Sequence, residues 1–200
     1  DVAKLVKKYN GSMSGEHGDG RVRAEFVEMM VGAKNYALLK QVKATFDPQN
    51  ILNPGKIIDA PAMDTSLRYQ PDRIEPEIKT LMNFDENQGI LRLAEQCNGS
   101  GDCRKSADSG GTMCPSYRAT KDEKDTTRAR ANTLREFLTN SDKENKFSHQ
   151  EIKEAYDLCL SCKGCKSECP SSVDVAALKA EFQYQYQKEY GFSNRSRAFA

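Results

Sequence analysis

Cys159, Cys162, Cys165 and Cys169 fall within eleven residues as C-x2-C-x2-C-x3-C, and Pro170 follows directly. Thiols this close cannot all pair as disulfides without small strained loops. Zinc sites usually join two C-x2-C halves across a longer spacer. The run and its closing proline match the spacing by which thiolates hold a cubane iron–sulfur cluster. Zinc and a redox dithiol are the alternatives that it leaves.

In two-cluster proteins of this spacing, the fourth cysteine of each run ligates the other cluster. A second run is therefore needed, and the other three of the seven cysteines supply it: Cys97, Cys103 and Cys114, the last followed by Pro115. Cys97 to Cys103 has the C-x2-C-x2-C frame with Ser100 in the middle place, and the ten residues between Cys103 and Cys114 are an inserted loop rich in Gly and Ser. Cross-ligation then divides the thiolates. Cys114, Cys159, Cys162 and Cys165 are expected to hold a 4Fe-4S cluster. Cys97, Cys103 and Cys169 are expected to hold the other, one thiolate short. That group should be 3Fe-4S, or a labile 4Fe-4S with an oxygen of Ser100 or Asp102 at its last corner. The alternative is that Cys97 and Cys103 are packed thiols and one cluster forms.

Other polar residues say less by themselves. Glu16 and His17 stand together in the Gly-rich loop 11–20. Taken alone, such a pair is a surface turn more often than a catalytic one. Gly18 and Gly20 are a weak phosphate-cradle signal, since no strand precedes them and no Gly-Lys-Ser/Thr follows. His149, between Ser148 and Gln150, reads as a solvated helix start. Arg128 and Arg130 read as a solvated face. Met29, Met30, Tyr184, Tyr186 and Tyr190 read as core and interface rather than cofactor contacts.

The elements that must position these residues are helical. Residues 1–59 read as helix, Gly-rich loop, helix, helix, from Val2, Leu5, Val6 and Tyr9, then Phe26, Met29 and Met30, then Leu38, Leu39, Val42 and Phe46. Asp47-Pro48 ends the third. Residues 60–88 read as an exposed connector with three prolines and one candidate strand over 78–84. Residues 89–200 read as helices around the cysteines. One leads into Cys97 through Leu91, and one spans 126–140 with Asp125 or Thr126 as cap. Another carries Ile152, Ala155 and Tyr156 toward Cys159, and a long one carries Val173, Ala177, Ala180 and Tyr184 on one face. The fold class is mainly α.

Lys and Arg number 30 against 29 Asp and Glu over 200 residues. No basic stripe with interleaved aromatics marks a nucleic-acid partner. No apolar run is long enough to span a membrane. Seven cysteines in a cluster pattern suit a reducing, cytoplasmic setting rather than a secreted disulfide scaffold.

Residues 11–23, GSMSGEHGDGRVR, followed by residues 46–56, FDPQNILNPGK, resemble the C-terminal end of FAD-linked oxidases of the vanillyl-alcohol oxidase class, the glycolate oxidase, D-lactate and D-2-hydroxyglutarate dehydrogenase type. Residues 97–104, CNGSGDCR, and 113–120, MCPSYRAT, resemble bacterial fused versions that join the flavin dehydrogenase to an iron–sulfur module. The helical interval between Cys114 and Cys159 resembles the helical ferredoxin domains of succinate dehydrogenase and of glycolate oxidase. In the former a middle cysteine is also replaced and that cluster has three irons.

The resemblance implies a helical end of an FAD-linked oxidase domain followed by an α-helical, ferredoxin-like domain. It implies that His17 is the active-site base near the flavin, that Glu16 ligates a divalent metal, and that Asn53 lies close to FAD. The implied chemistry oxidises a 2-hydroxy acid: the hydroxyl loses its proton and the α-hydride passes to FAD. Electrons then leave through two clusters to an acceptor that the sequence does not name. The family also carries an FAD-binding domain and a histidine-rich metal motif upstream, and cysteine-rich domains downstream, none of them in this sequence. The chain is therefore expected to be a segment of a larger polypeptide, without turnover of its own. A zinc-stabilised scaffold without redox role is the competing reading.

Overall fold

A computed structural model describes residues 1–68, 72–192 and 194–198, without the side chains of residues 195 and 196. About half of the protein is helical, with no strand among the described residues. The candidate strand over 78–84 is irregular backbone. No helix among the described residues is long and apolar enough to cross a membrane. The chain forms two compact units, Asp1–Arg73 and Ile74–Ala200.

The first unit holds α1 (Val2–Lys8), α2 (Val27–Val31) and α3 (Ala33–Phe46). Its interior is small: Ala3, Ala24, Val27 and Asp47 are its buried residues among those described. Asp47 ends α3 by accepting hydrogen bonds from the amides of Ile51 and Leu52 at 3.0 and 2.9 Å. Lys43 pairs with it one turn back, and this pairing draws the Asp47 carboxyl below its ordinary value. The apolar residues at helical spacing on α3 do not find a core here. Leu38, Leu39, Val42 and Phe46 are exposed, Phe46 at 80%.

The second unit is built around α6 (Thr127–Asn140), which packs against α4 (Ile90–Glu95), α7 (Gln150–Asp157) and α9 (Val175–Tyr190). The Thr126 hydroxyl caps α6 by accepting from the Ala129 amide at 2.9 Å, which satisfies one of the free N–H groups of the first turn. Thr127, Arg130, Ala131, Leu134 and Leu138 then form the buried stripe, at the spacing of an amphipathic helix. Ile152, Ala155 and Tyr156 of α7 close on it, with Tyr156 stacked on Phe182 of α9. Asp174 caps α9 through the Ala177 amide at 3.0 Å, and Gly191 at φ 81° ends it. The face of α9 turned inward carries Val175, Leu178, Lys179 and Phe182, while Ala180 is exposed. Of the residues that mark this helix in the sequence, Ala177 packs against the core and Ala180 does not. Three short helices complete the unit: α5 (Pro115–Thr120), α8 (Gly164–Glu168) and α10 (Asn194–Ala198).

Within the 60–88 segment the two halves differ. Residues 61–68 are exposed. Phe84 is buried and Ile78 packs on the core of the second unit. The fully buried carboxylate of Glu181 accepts the Leu81 and Met82 amides at 2.9 to 3.1 Å. These two amides are thereby taken up by a side chain rather than by a strand partner. Removing this acceptor leaves two amides without their partner, at a cost of about 1–3 kcal/mol. Glu181→Ala should therefore speed hydrogen exchange at Leu81 and Met82 by about tenfold or more, while the amides of α6 keep wild-type protection. Unchanged rates at 81 and 82 would show that Glu181 does not hold the segment.

Candidate metal centre

Each cysteine is delivered by the end of an element. Cys97 follows α4 by one residue past its cap, and Cys103 lies in a single helical turn over Asp102–Arg104. Cys114 caps α5, whose first residue is Pro115, a placement that suits proline because its missing N–H is one that a first turn leaves free. Cys159 and Cys162 occupy the irregular stretch after α7, Cys165 lies in α8, and Cys169 caps the end of α8. No cysteine is in a disulfide.

Cys114, Cys159, Cys162 and Cys165 line one cavity, together with Thr127, Arg130, Leu160 and Val175. Four thiols converging from both cysteine runs are a donor set that suits an iron–sulfur group. Among the described residues, no three His, Cys, Asp or Glu side chains are placed to hold one metal ion.

Cys97 and Cys103 are buried and close enough for each thiolate to feel the other, and both act on the Arg128 guanidinium. Asn132 of α6 points its amide nitrogen at the Cys97 sulfur, 3.6 Å away. Cys169 is partly buried against the same core. Ser100 is exposed, between Gly99 and Gly101, both with φ near 80°. Its amide donates to the Asn98 side chain at 3.0 Å. Asp102 is half-buried.

Burial pushes the thiols of Cys103, Cys114 and Cys165 up from their ordinary values. The first turn of α6 opposes this. The Arg128 amide and the Thr126 hydroxyl lie against Cys103, and the Thr127 hydroxyl sits 2.9 Å from the Cys114 sulfur. These groups, with the positive end of the helix, favour thiolate, the form that binds metal.

A carboxylate ties the two cysteine runs together. Glu168 accepts from the amide and hydroxyl of Thr112 at 2.6 and 2.7 Å and from the Met113 amide at 3.2 Å. It thereby fixes the backbone just before Cys114 beside α8. Gly164 is required there: a Cβ on it would stand 2.7 Å from the Thr112 hydroxyl oxygen.

Arg130 was read as a solvated residue. It is 1% exposed and donates to the carbonyls of Ala155 and Asp125, each at 2.7 Å. His149 was also read as solvated. It is half-buried, stacks on Phe137 with ring centroids 4.1 Å apart, and bonds Ser141 at 2.7 Å. Arg130, Lys179, Thr127, Asn132 and Glu168 were not legible as site residues. Each is a common residue type whose role depends on the fold, and Thr126-Thr127 before a helical stripe was the one local signal.

In the first unit, His17 and Glu16 form an exposed pair, Nε2 to Oε1 3.3 Å, with side chains 85% and 83% exposed. Asn53 is exposed with φ 49°.

Two family models match this chain in succession. Residues 1–57 match "FAD linked oxidases, C-terminal domain", and residues 96–174 match "4Fe-4S dicluster domain". The chain is therefore similar to an FAD-linked oxidase C-terminal domain over its first part and to a 4Fe-4S domain over its second. It is similar to D-2-hydroxyglutarate dehydrogenase of Escherichia coli K12, 35% identical over 95% of this chain and 22% of the relative. It is also similar to the Haemophilus influenzae enzyme of that name, 32% identical over 95% of this chain and 21% of the relative. Glycolate oxidase subunit GlcD of Bacillus subtilis is 47% identical over 36% of this chain. The chain thus spans about a fifth of the length of the longer relatives it matches. No solved structure matches it.

The bonds from Thr112 and Met113 hold the Glu168 carboxyl down at about 2, against an ordinary 4.5. A depressed carboxyl stabilises the folded state above its unfolded value and loses that contribution as pH falls through the folded one. The clamp should be intact above about pH 4.5 and fail toward pH 2. Carbon NMR should find Glu168 titrating below the other exposed glutamates. A midpoint among theirs would mean that the clamp is not formed.

Proposed function

We propose that this chain is the electron-transfer segment of a flavin-dependent 2-hydroxyacid dehydrogenase acting in the cytoplasm, with two iron–sulfur clusters between FAD and an external acceptor. The observation that carries the reading is the cavity shared by Cys114 of one run and Cys159, Cys162 and Cys165 of the other. Those four thiolates hold a 4Fe-4S cluster. Cys97, Cys103 and Cys169 hold a second, 3Fe-4S or a labile 4Fe-4S with Ser100 or Asp102 at the open corner. Iron–sulfur groups, when bound, carry one electron at a time.

FAD, when bound, accepts the α-hydride of the hydroxy acid. This chain's part of that step lies in the 11–20 loop. His17 takes the hydroxyl proton on a ring nitrogen, a role that an imidazole suits near neutral pH. Glu16, 3.3 Å away, would supply a carboxylate ligand to a divalent metal bound there, whose chemistry would be to polarise substrate oxygens. Asn53 belongs to the flavin environment. The exposed face of α3 with Leu38, Val42 and Phe46 packs on the flavin-binding part of the same polypeptide, and the chain alone does not turn over substrate. D-2-Hydroxyglutarate is the substrate the relatives' names favour.

Metal analysis of anaerobically prepared protein tests the reading. Iron and acid-labile sulfide in stoichiometric excess over zinc are expected, and zinc without sulfide would leave a structural scaffold. Ser100→Cys should remove the oxidised three-iron EPR signal and raise iron by one atom per chain; a wild type that binds eight irons with no such signal would place an oxygen ligand at that corner. In the full-length enzyme, His17→Ala should lower kcat by about 100- to 10,000-fold. Wild-type turnover with unchanged flavin content would remove His17 from the mechanism.

A further inference from the structure

Lys179 lies on the inward face of α9 and is 8% exposed. Its ammonium donates to the carbonyls of Tyr156 and Cys159 at 2.9 and 2.6 Å. Neither partner is charged. Asp157, an acid whose field reaches Lys179, is itself paired with Lys153 at 2.8 Å. A cation this deeply buried needs a counter-charge, because carbonyl dipoles replace only part of its lost hydration.

The other buried cation at this place is already balanced. Arg130 lines the four-thiol cavity, and its guanidinium meets Asp125, 3.4 Å away and equally buried. Among the described residues no acid forms an ion pair with Lys179. It is bonded to the backbone of Cys159, itself part of the cavity wall. An iron–sulfur group held by four thiolates is anionic, and each added electron makes it more so. Its potential is set by net charge, hydrogen bonds and burial. A positive charge behind one ligand favours the reduced form.

We infer that Lys179 is the counter-charge of the group held by Cys114, Cys159, Cys162 and Cys165 and sets its reduction potential. Lys179 is a positioning residue and ligates nothing. The step that it biases is a one-electron transfer: an electron arrives from the reduced flavin side and leaves to the acceptor, with no bond made or broken. The inference rests on the iron–sulfur reading above.

The test is an EPR-monitored redox titration of the full-length protein. Lys179→Gln removes the charge and keeps an N–H donor for the two carbonyls. It should bind the same iron and sulfide, with the reduced-to-oxidised equilibrium of this group lowered about tenfold, a shift of about 59 mV to more negative potential. Lys179→Arg keeps the charge and should stay within about twofold of wild type, well inside that 59 mV. A wild-type midpoint in Lys179→Gln, or equal shifts in both variants, would overturn the inference. If Lys179→Gln fails to load the group while Lys179→Arg loads it, charge compensation is again the requirement. If neither loads, Lys179 serves by shape, and the inference fails. Zinc in place of iron in the wild type would instead overturn the iron–sulfur reading itself.

Discussion

The first turn of α6 lies against both groups of thiols, and most of the second unit is arranged to keep it there. Thr126 caps the helix and touches Cys103; Thr127, the next residue, touches Cys114. Two turns of the helix carry Arg130 to the cavity wall and Asn132 to Cys97. A helix start offers free amides and a positive partial charge. Burial penalises thiolates, and this helix start opposes that penalty at Cys103 and Cys114. The buried stripe through Leu134 and Leu138 anchors that start against α4, α7 and α9.

The second requirement is to bring sequence-distant runs together. Chain connectivity separates Cys114 from Cys159 by the whole of α6 and α7. The two helices run out and back, and Glu168 closes the return by gripping the Thr112 and Met113 amides. Three hydrogen bonds to one carboxylate form a local clamp, placed where a one-residue slip would misalign the sulfurs. Burial favours the protonated thiols, so a metal must displace their protons, and its binding is coupled to folding and to pH.

The cysteine runs were readable from sequence because ligation demands fixed local spacing. Capping by Thr126 was readable for a similar reason: it is decided within four residues. Two separate motif sets mark residues 1–59 and 89–200, and the family matches, 1–57 and 96–174, lie within those spans. What escaped depends on partners far along the chain. Residues 78–84 look like a strand until Glu181, about a hundred residues on, takes their amides. Arg130 and Lys179 look like solvated charges because most such residues are, and only the packed structure shows carbonyls and a thiol cavity around them. The inner face of α9 was misassigned because Lys179 and Glu181 occupy core positions there, which breaks the apolar periodicity that the reading relied on. The outward Leu38, Val42 and Phe46 of α3 show the converse: helical spacing was legible, but not that its apolar face stays uncovered in this chain.

The central claim is that one iron–sulfur group is built across both runs, and Cys114 is the residue that decides it. Iron content and EPR of anaerobically prepared Cys114→Ala protein address this directly, with Cys169→Ala as the comparison. Cys114→Ala should alter or abolish the signal of the group on Cys159, Cys162 and Cys165 and leave the other group's signal in place, and Cys169→Ala should do the reverse. If Cys114→Ala leaves the Cys159 group intact and Cys169→Ala destroys it, each run closes on itself and the cross-run account is wrong.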